Sequence, residues 1–266
     1  MVPPRLNSPD PQLLVVTDLD GTLLDHHDYG FAAVLPVLKR LAELGVPVVA
    51  NTSKTRQEWL AMRGDFGNDA AFVVENGSAT YLPDGTSELS GASRDEILEA
   101  LGRMSENYRF QGFQELGLQG VIDATGLSAE SAHLAMSREY SEPLLWQDSP
   151  EKEDAFCAEV EGLGFQTLRG GRFLHVLGQT DKGRPLAGLR KYYQTDQIVA
   201  LGDSPNDVAM LAQAEIAVVI PSAGRTPLEV PGAKRLIHSR QHGPEGWAEV
   251  MNQLIKEFYP PSKPNV

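Results

Sequence analysis

Cysteine is nearly absent from the chain: Cys157 stands alone, so no disulfide can close within it. No apolar run reaches the ~20 residues a helix needs to cross a bilayer. The opening MVPPRLNSPDPQ lacks both the positive stretch and the apolar stretch of a secretory signal. Basic residues are also short, 23 against 36 acidic, for a formal net charge of −13. So little positive charge cannot neutralise a nucleic-acid backbone, and any anionic ligand must be met by a local concentration of cations. These absences predict a cytoplasmic protein with no nucleic-acid partner and no membrane contact; a monomer or homodimer is expected, a choice that composition does not decide.

What is present fits a soluble globular chain of 266 residues, 41% hydrophobic and 22% charged, enough for one large domain or two ordinary ones. The stretch LLVVTDLDGTLLD, residues 13 to 25, organises the rest. Its run of Leu and Val has no helical periodicity and reads as a strand buried on both faces. Asp18 and Asp20 follow at its carboxyl end, where open α/β sheets place their ligands. Gly21 lets the chain curl there, so that both carboxylates can turn toward one pocket. Two clustered carboxylates repel unless a cation or a shared proton relieves them. A helix cap or a tight turn is the plainer explanation of Asp and Gly at such a place.

Taken in order, a helix around Val34, Leu38, Leu41 and Leu44 leads to a second apolar strand at 46–50, which makes a right-handed crossover. That strand delivers NTSKT beside Asp18. Thr55 and Glu58 are spaced as a capping box for the next helix. AFVVENGSATYLPDG then reads as a hairpin, with Glu75 and Asn76 either functional or simply turn residues. From about residue 84 to 177 the rhythm changes to helices over a small antiparallel sheet, with a loop-rich stretch through GLQGVIDATGLS and a hairpin at Gly170-Gly171. Cys157 falls on the apolar side of a helix there, as a structural thiol. QTDKGRPLAGLRKYY resumes the first pattern, with Thr180 or Asp181 as the helix cap. The expected fold is therefore α/β, with a doubly wound, mostly parallel Rossmann-like core. The core comprises 1–83 and 178–266 and is interrupted by an inserted α/β domain at 84–177.

If this topology holds, three strand ends converge. One offers Asp18 and Asp20, the next Thr52 or Ser53 with Lys54, and a late one Asp203, Asn206 and Asp207 of GDSPND. Such loops make oxygen cages for hard cations such as Mg²⁺. None of them contains histidine or cysteine, which disfavours zinc. A carboxylate so relieved can attack phosphorus, and Lys182 at the start of a helix would supply a further positive charge.

DLDGT, the Thr ending the second strand, DKG and GDSPND, in that order, resemble the motifs of the haloacid dehalogenase superfamily of phosphohydrolases. The resemblance implies that Asp18 is the nucleophile that forms an aspartyl phosphate, and that Asp20 is first acid and then base. It further implies that Thr52 or the adjacent Ser53 binds phosphate with Lys182, that Asp18, Asp20 and Asp203 surround Mg²⁺ with Asp207 as a further ligand or as a support behind the ligands, and that the insertion is a cap. The Asn206 amide is suited to hold a phosphate oxygen as well. A finer resemblance, carried by TSKT, SREYSEPLLW, GGRFLHVLG and GPEGW, is to the mannosyl-3-phosphoglycerate phosphatases. TSKT departs from the Gly-Arg that follows the Thr in most cap-bearing sugar phosphatases. It implies a phosphorylated sugar-glycerate as substrate, with a glucosyl analogue, another sugar phosphate, or phosphomutase chemistry as alternatives.

The cap candidates follow from what such a substrate needs. Arg138 and Arg172 carry planar forks suited to a carboxylate. Glu142 either accepts sugar hydroxyls or pairs with Arg138 four residues earlier. His175, inside the apolar FLHVL, is either a structural histidine or a substrate contact.

Overall fold

A computed structural model describes residues 13–222 and 228–260. The Pro-rich ends expected to be loosely held, through about Gln12 and from Pro260, fall outside the described residues except for Pro260 itself. In chain order the first part of the core runs β1 (Leu14–Thr17), α1 (Leu35–Glu43), β2 (Val48–Asn51), α2 (Arg56–Met62), β3 (Phe72–Val74), β4 (Ala79–Tyr81) and β5 (Ser87–Leu89). The insertion contains α3 (Arg94–Met104), β6 (Phe110–Gly112), α4 (Phe113–Thr125), α5 (Ala129–Met136), β7 (Ser141–Trp146), α6 (Pro150–Gly162), β8 (Phe165–Gly170) and β9 (Phe173–Gly178). The core then resumes with α7 (Leu186–Tyr193), β10 (Ile198–Gly202), α8 (Val208–Gln213), β11 (Ile216–Val219), β12 (Leu236–His238) and α9 (Gly243–Phe258).

The core sheet has eight strands in the order β12-β11-β10-β1-β2-β3-β4-β5. It is parallel from β12 to β3 and antiparallel beyond. The unbroken apolar run of β1 is explained by burial on both faces. Leu13 and Val15 pack with Val37, Leu41 and Trp247 on one side, while Leu14 and Val16 pack with Leu186, Leu189 and Met210 on the other. Each such side chain stabilises the fold by about 1.5–3 kcal/mol, so a charge at Val15 would break the sheet's centre. From β1 the chain winds outward through β2 and β3, and from β10 the opposite way through β11 and β12. The switch between these directions lies between β1 and β10, where doubly wound sheets open a crevice at their carboxyl ends.

The insertion is a four-stranded antiparallel sheet, β6-β7-β9-β8. Leu144, Leu174 and Val176 pack against α3 and α6, and Phe173 against Phe113, Val121 and Ala132 of α4 and α5. Two features differ from the sequence reading. Residues 110–125, expected as loop, form β6 and α4. Gly117, at φ 61 and ψ 178, interrupts the helical rhythm, and the packing of Phe113 and Val121 supplies what propensity does not. Ser87–Leu89, expected beyond the first core segment, hydrogen-bonds to β4 as the core sheet's exposed edge, so the core sheet runs past residue 83. No helix among the described residues is long and apolar enough to cross a membrane.

Candidate active site

The β1–β10 register pairs Thr17 with Leu201, and the β1–β2 register pairs Thr17 with Ala50. The loops that follow, with Asp18, Thr52 and Asp203, therefore leave the same edge of the sheet side by side. Gly21 serves this convergence in two ways. Its φ of +83 suits glycine, and a Cβ there would stand 2.8 Å from Asp203 Oδ2. One carboxylate oxygen each from Asp18, Asp203 and Asp207 lies within 4.8 Å of the others.

Lys182 ties the cluster together. Its buried Nζ donates to Asp18 Oδ1 at 2.5 Å and to Asp207 Oδ1 at 2.8 Å. Burial works against the ammonium, but Asp18 and Asp207 hold it charged and above its usual range. Asp18 is pushed well above the usual carboxylate range by burial, with Asp207, Asp20 and Asp203 adding repulsion that Lys182 opposes. The sequence placed Lys182 at a helix start, but α7 begins only after Pro185. Lys182 sits instead in a turn closed by Asp181 Oδ1, which accepts from the amides of Gly183 at 2.7 Å and Arg184 at 2.9 Å. Thr180 likewise caps no helix and donates to the Gly77 carbonyl.

The donor set suits a hard divalent cation: three carboxylates, no histidine or thiol, and a negative charge that burial makes costly. Asp207 Oδ2 already accepts from the amides of Asp203 and Ser204 and from Ser204 Oγ, while Oδ1 takes Lys182. It therefore steadies the loop, and Asp18 and Asp203 would hold the ion. Asp203 also receives Thr22 Oγ1 at 3.4 Å and Ser222 Oγ at 2.8 Å. Ser222 was not singled out by the sequence. Its only signal is that it follows β11, the neighbour of β10. The side chain of Asp20, grouped with the ligands by resemblance, lies outside the cluster and pairs with Lys54 Nζ at 2.9 Å. Burial opposes charge on Lys54, but Asp20 and Glu58 raise it above its usual range. Thr52 is buried and its Oγ1 accepts from the Lys54 amide at 3.1 Å. Asn206 donates to Asn76 Oδ1 at 3.1 Å, which draws Asn76 into the site's frame.

The cap candidates separate. Arg138 Nη1 reaches the Ser53 carbonyl at 3.3 Å and Ser141 Oγ at 2.9 Å, which places its guanidinium against the second loop. Glu142 pairs neither with Arg138 nor with open space. It is fully buried and accepts from Arg94 Nε at 2.7 Å and the Gln114 amide at 3.1 Å, a partner choice set by packing against α3. A buried carboxylate so paired ties β7 to α3 and α4 within the cap. Arg172 is exposed on the β8–β9 hairpin and donates to the Ala124 carbonyl at the end of α4. His175 is half-buried on β9, with Nδ1 sealed from solvent and without a partner among the described residues. Burial, and then Arg138, push its pKa down to about 3, so it is neutral near pH 7.

A doubly wound core with an inserted cap, an acidic cluster at the switch point and a buried lysine between two of its carboxylates define a hydrolase class. The sequence pattern of the haloacid dehalogenase-like hydrolases matches residues 15–158 and 167–229, and the chain belongs to that family. It is 31% identical over 269 residues to the glucosyl-3-phosphoglycerate/mannosyl-3-phosphoglycerate phosphatase of Persephonella marina, covering 92% of this chain and 98% of the relative. The fold resembles a haloacid dehalogenase-like hydrolase from Bacteroides thetaiotaomicron, with a TM-score of 0.71 at 17% identity over 91% of this chain and 98% of the other. A haloacid dehalogenase-like hydrolase from B. subtilis gives a TM-score of 0.66 at 20% identity over 91% and 99%.

Proposed function

We propose that the protein is a Mg²⁺-dependent phosphatase of the cell interior that removes phosphate from a glycosyl-3-phosphoglycerate, the mannosyl compound first and the glucosyl compound as its close analogue. The observation that carries this reading is the buried Lys182 bridging Asp18 and Asp207, next to Asp203. That arrangement supports one carboxylate kept ready for attack while the charge around it is balanced. The name of the Persephonella marina relative supports the substrate class.

In this reading Asp18 attacks phosphorus and the bond to the glycerate oxygen breaks, with Asp20 giving its proton to that leaving oxygen. Asp20, now a carboxylate, then takes a proton from water. The water oxygen attacks phosphorus, the Asp18–phosphoryl bond breaks, and phosphate leaves with Asp18 restored. Mg²⁺, when held by Asp18 and Asp203, supplies charge that lets one anion approach another. Thr52, Ser53 and Asn206 would orient the phosphoryl oxygens, and Lys182 would offset their charge. Arg138 would meet the glycerate carboxylate from the cap side, its fork suited to that group. His175, neutral and close enough to feel Arg138, would offer a hydrogen bond to the sugar.

Phosphate release from mannosyl- and glucosyl-3-phosphoglycerate, 3-phosphoglycerate, mannose 6-phosphate and p-nitrophenyl phosphate tests the assignment. The two glycosyl-phosphoglycerates are expected to exceed the simple sugar phosphate in kcat/KM by about a hundredfold, a difference that one recognised remote anion and ring can supply. Activity should vanish on chelation, and solvent oxygen should enter the free phosphate. Equal turnover of mannose 6-phosphate would end the substrate reading, and full activity in chelator would end the metal-dependent one.

A further inference from the structure

The turn Glu75-Asn76-Gly77 meets three of the segments around the site: the loop after β2, Asn206, and the turn that carries Lys182. The Glu75 amide donates to the Lys54 carbonyl and the Asn76 amide to the Thr52 carbonyl, each at 3.0 Å. Asn76 Oδ1 accepts from Asn206, and the Gly77 carbonyl accepts from Thr180 beside the lysine turn. Gly77 has no room to be anything else, because a Cβ would lie 2.0 Å from the Asp181 carbonyl oxygen. Glu75 and Asn76 both adopt left-handed backbone, φ 48 and 59, a conformation that non-glycine residues keep only where surrounding contacts over-determine it.

For Glu75 the cap adds to these core contacts. Glu75 belongs to the core, yet its fully buried carboxylate accepts from the cap amides of Glu139 at 2.9 Å and Tyr140 at 3.2 Å. It also accepts from Ser141 Oγ at 2.5 Å. Ser141 Oγ in turn accepts from Arg138 Nη1, which stands 3.8 Å from Glu75 Oε2 and also binds the Ser53 carbonyl. Arg138 is thus fastened by one edge of its fork, through Ser141, to a carboxylate on the opposite domain. Its Nε is buried and has no partner among the described residues. A buried donor without a partner is costly unless a ligand meets it.

We propose that Glu75 is a positioning residue for substrate recognition: through Ser141 and the 139–140 amides it locks Arg138 beside the phosphate-binding loop, presenting Nε to the substrate's second anionic group. The identity of that anion as a carboxylate rests on the function proposed above, whereas the Glu75–Ser141–Arg138 relay rests on geometry alone. Three donors converge on one carboxylate, so the relay needs an acceptor with no hydrogens of its own. Glutamine at position 75 would turn an N–H toward either the Glu139 donor or the Tyr140 and Ser141 donors, and lose acceptance on that side.

The test measures KM and kcat of the full-length enzyme with Mg²⁺, on mannosyl-3-phosphoglycerate and on p-nitrophenyl phosphate. The variants are Glu75→Gln, Ser141→Ala, Arg138→Ala and the two doubles with Arg138→Ala. Glu75→Gln is expected to raise KM for the glycerate substrate about tenfold with a smaller change in kcat, and Ser141→Ala to raise it about threefold. On the aryl phosphate both should lose a smaller factor. In the Arg138→Ala background neither is expected to raise KM further, because the group they position is gone. Effects that multiply with Arg138→Ala would overturn the relay, as would a Ser141→Ala enzyme with unchanged KM. Should Glu75→Gln fail to fold, Ser141→Ala and its double decide alone. If the variants are non-additive but Arg138→Ala weakens both substrates equally, the relay stands and the carboxylate assignment falls.

Discussion

Replacing Lys182 with methionine removes a charge while nearly keeping a shape. Nζ is buried between Asp18 Oδ1 at 2.5 Å and Asp207 Oδ1 at 2.8 Å, so a methyl group can fill the space but cannot separate the two anions. The oxygens of the acidic cluster lie within 4.8 Å of one another. At that separation and an effective dielectric near 20, two unit charges repel by about 3.5 kcal/mol. Removing one partner of a buried pair costs a similar amount, about 3–5 kcal/mol. The variant escapes part of this penalty by protonating Asp18, which burial and the surrounding carboxylates already favour. In the mechanism proposed above, a protonated Asp18 could not attack phosphorus, so stability would be recovered only at the expense of turnover. We expect Lys182→Met to lose about 3 kcal/mol in urea denaturation at neutral pH without Mg²⁺, and to lose less with Mg²⁺ present. Its kcat/KM should fall by about a thousandfold or more. An activity within about tenfold of the parent, with an unchanged denaturation midpoint, would refute the role given to this lysine.

Two other outcomes follow from the cap. His175 has a folded pKa of about 3 against an ordinary 6.5, from burial and then Arg138. The unfolded chain therefore takes up a proton that the folded chain refuses, and this contribution is complete above pH 6.5 and is lost as pH falls toward 3. The loss at pH 5 is at most about 2 kcal/mol, so His175→Gln should fall less than the parent between pH 7 and 5, and parallel falls would refute it. Arg172→Ala should change KM for mannosyl-3-phosphoglycerate by less than about twofold, because the guanidinium is exposed at a hairpin and donates to the Ala124 carbonyl. A loss comparable to that of Arg138→Ala would return Arg172 to the substrate.

Local signals made much of the fold legible. Thr55 and Glu58 form both hydrogen bonds of the capping box their spacing announces, at 3.1 and 2.7 Å. The break at Gly170-Gly171 is a hairpin turn between β8 and β9. The continuous apolar run before Asp18 is a strand covered on both faces. Local rhythm failed where tertiary contacts replaced it. Gly117 concealed α4, and β5, wholly exposed, carries no burial pattern to read. The partner of Glu142 was sought four residues away and lies in Arg94, 48 positions distant.

The sequence by itself determined which chemical groups are available: paired aspartates after a buried strand, a lysine, an acidic turn without histidine or cysteine, and arginines in the insertion. Only the tertiary structure decided which of them act together. It joined Lys182 to Asp18 across 164 positions, set Asp20 against Lys54, bonded Asp207 to the amides of Asp203 and Ser204, and gave Glu75 to the cap. The reason is physical: the apolar run of a buried strand and the capping box of a helix are signalled by residues a few positions apart. Charge pairing depends on distance through space and on burial, and neither exists until the sheet has brought its loops to one edge.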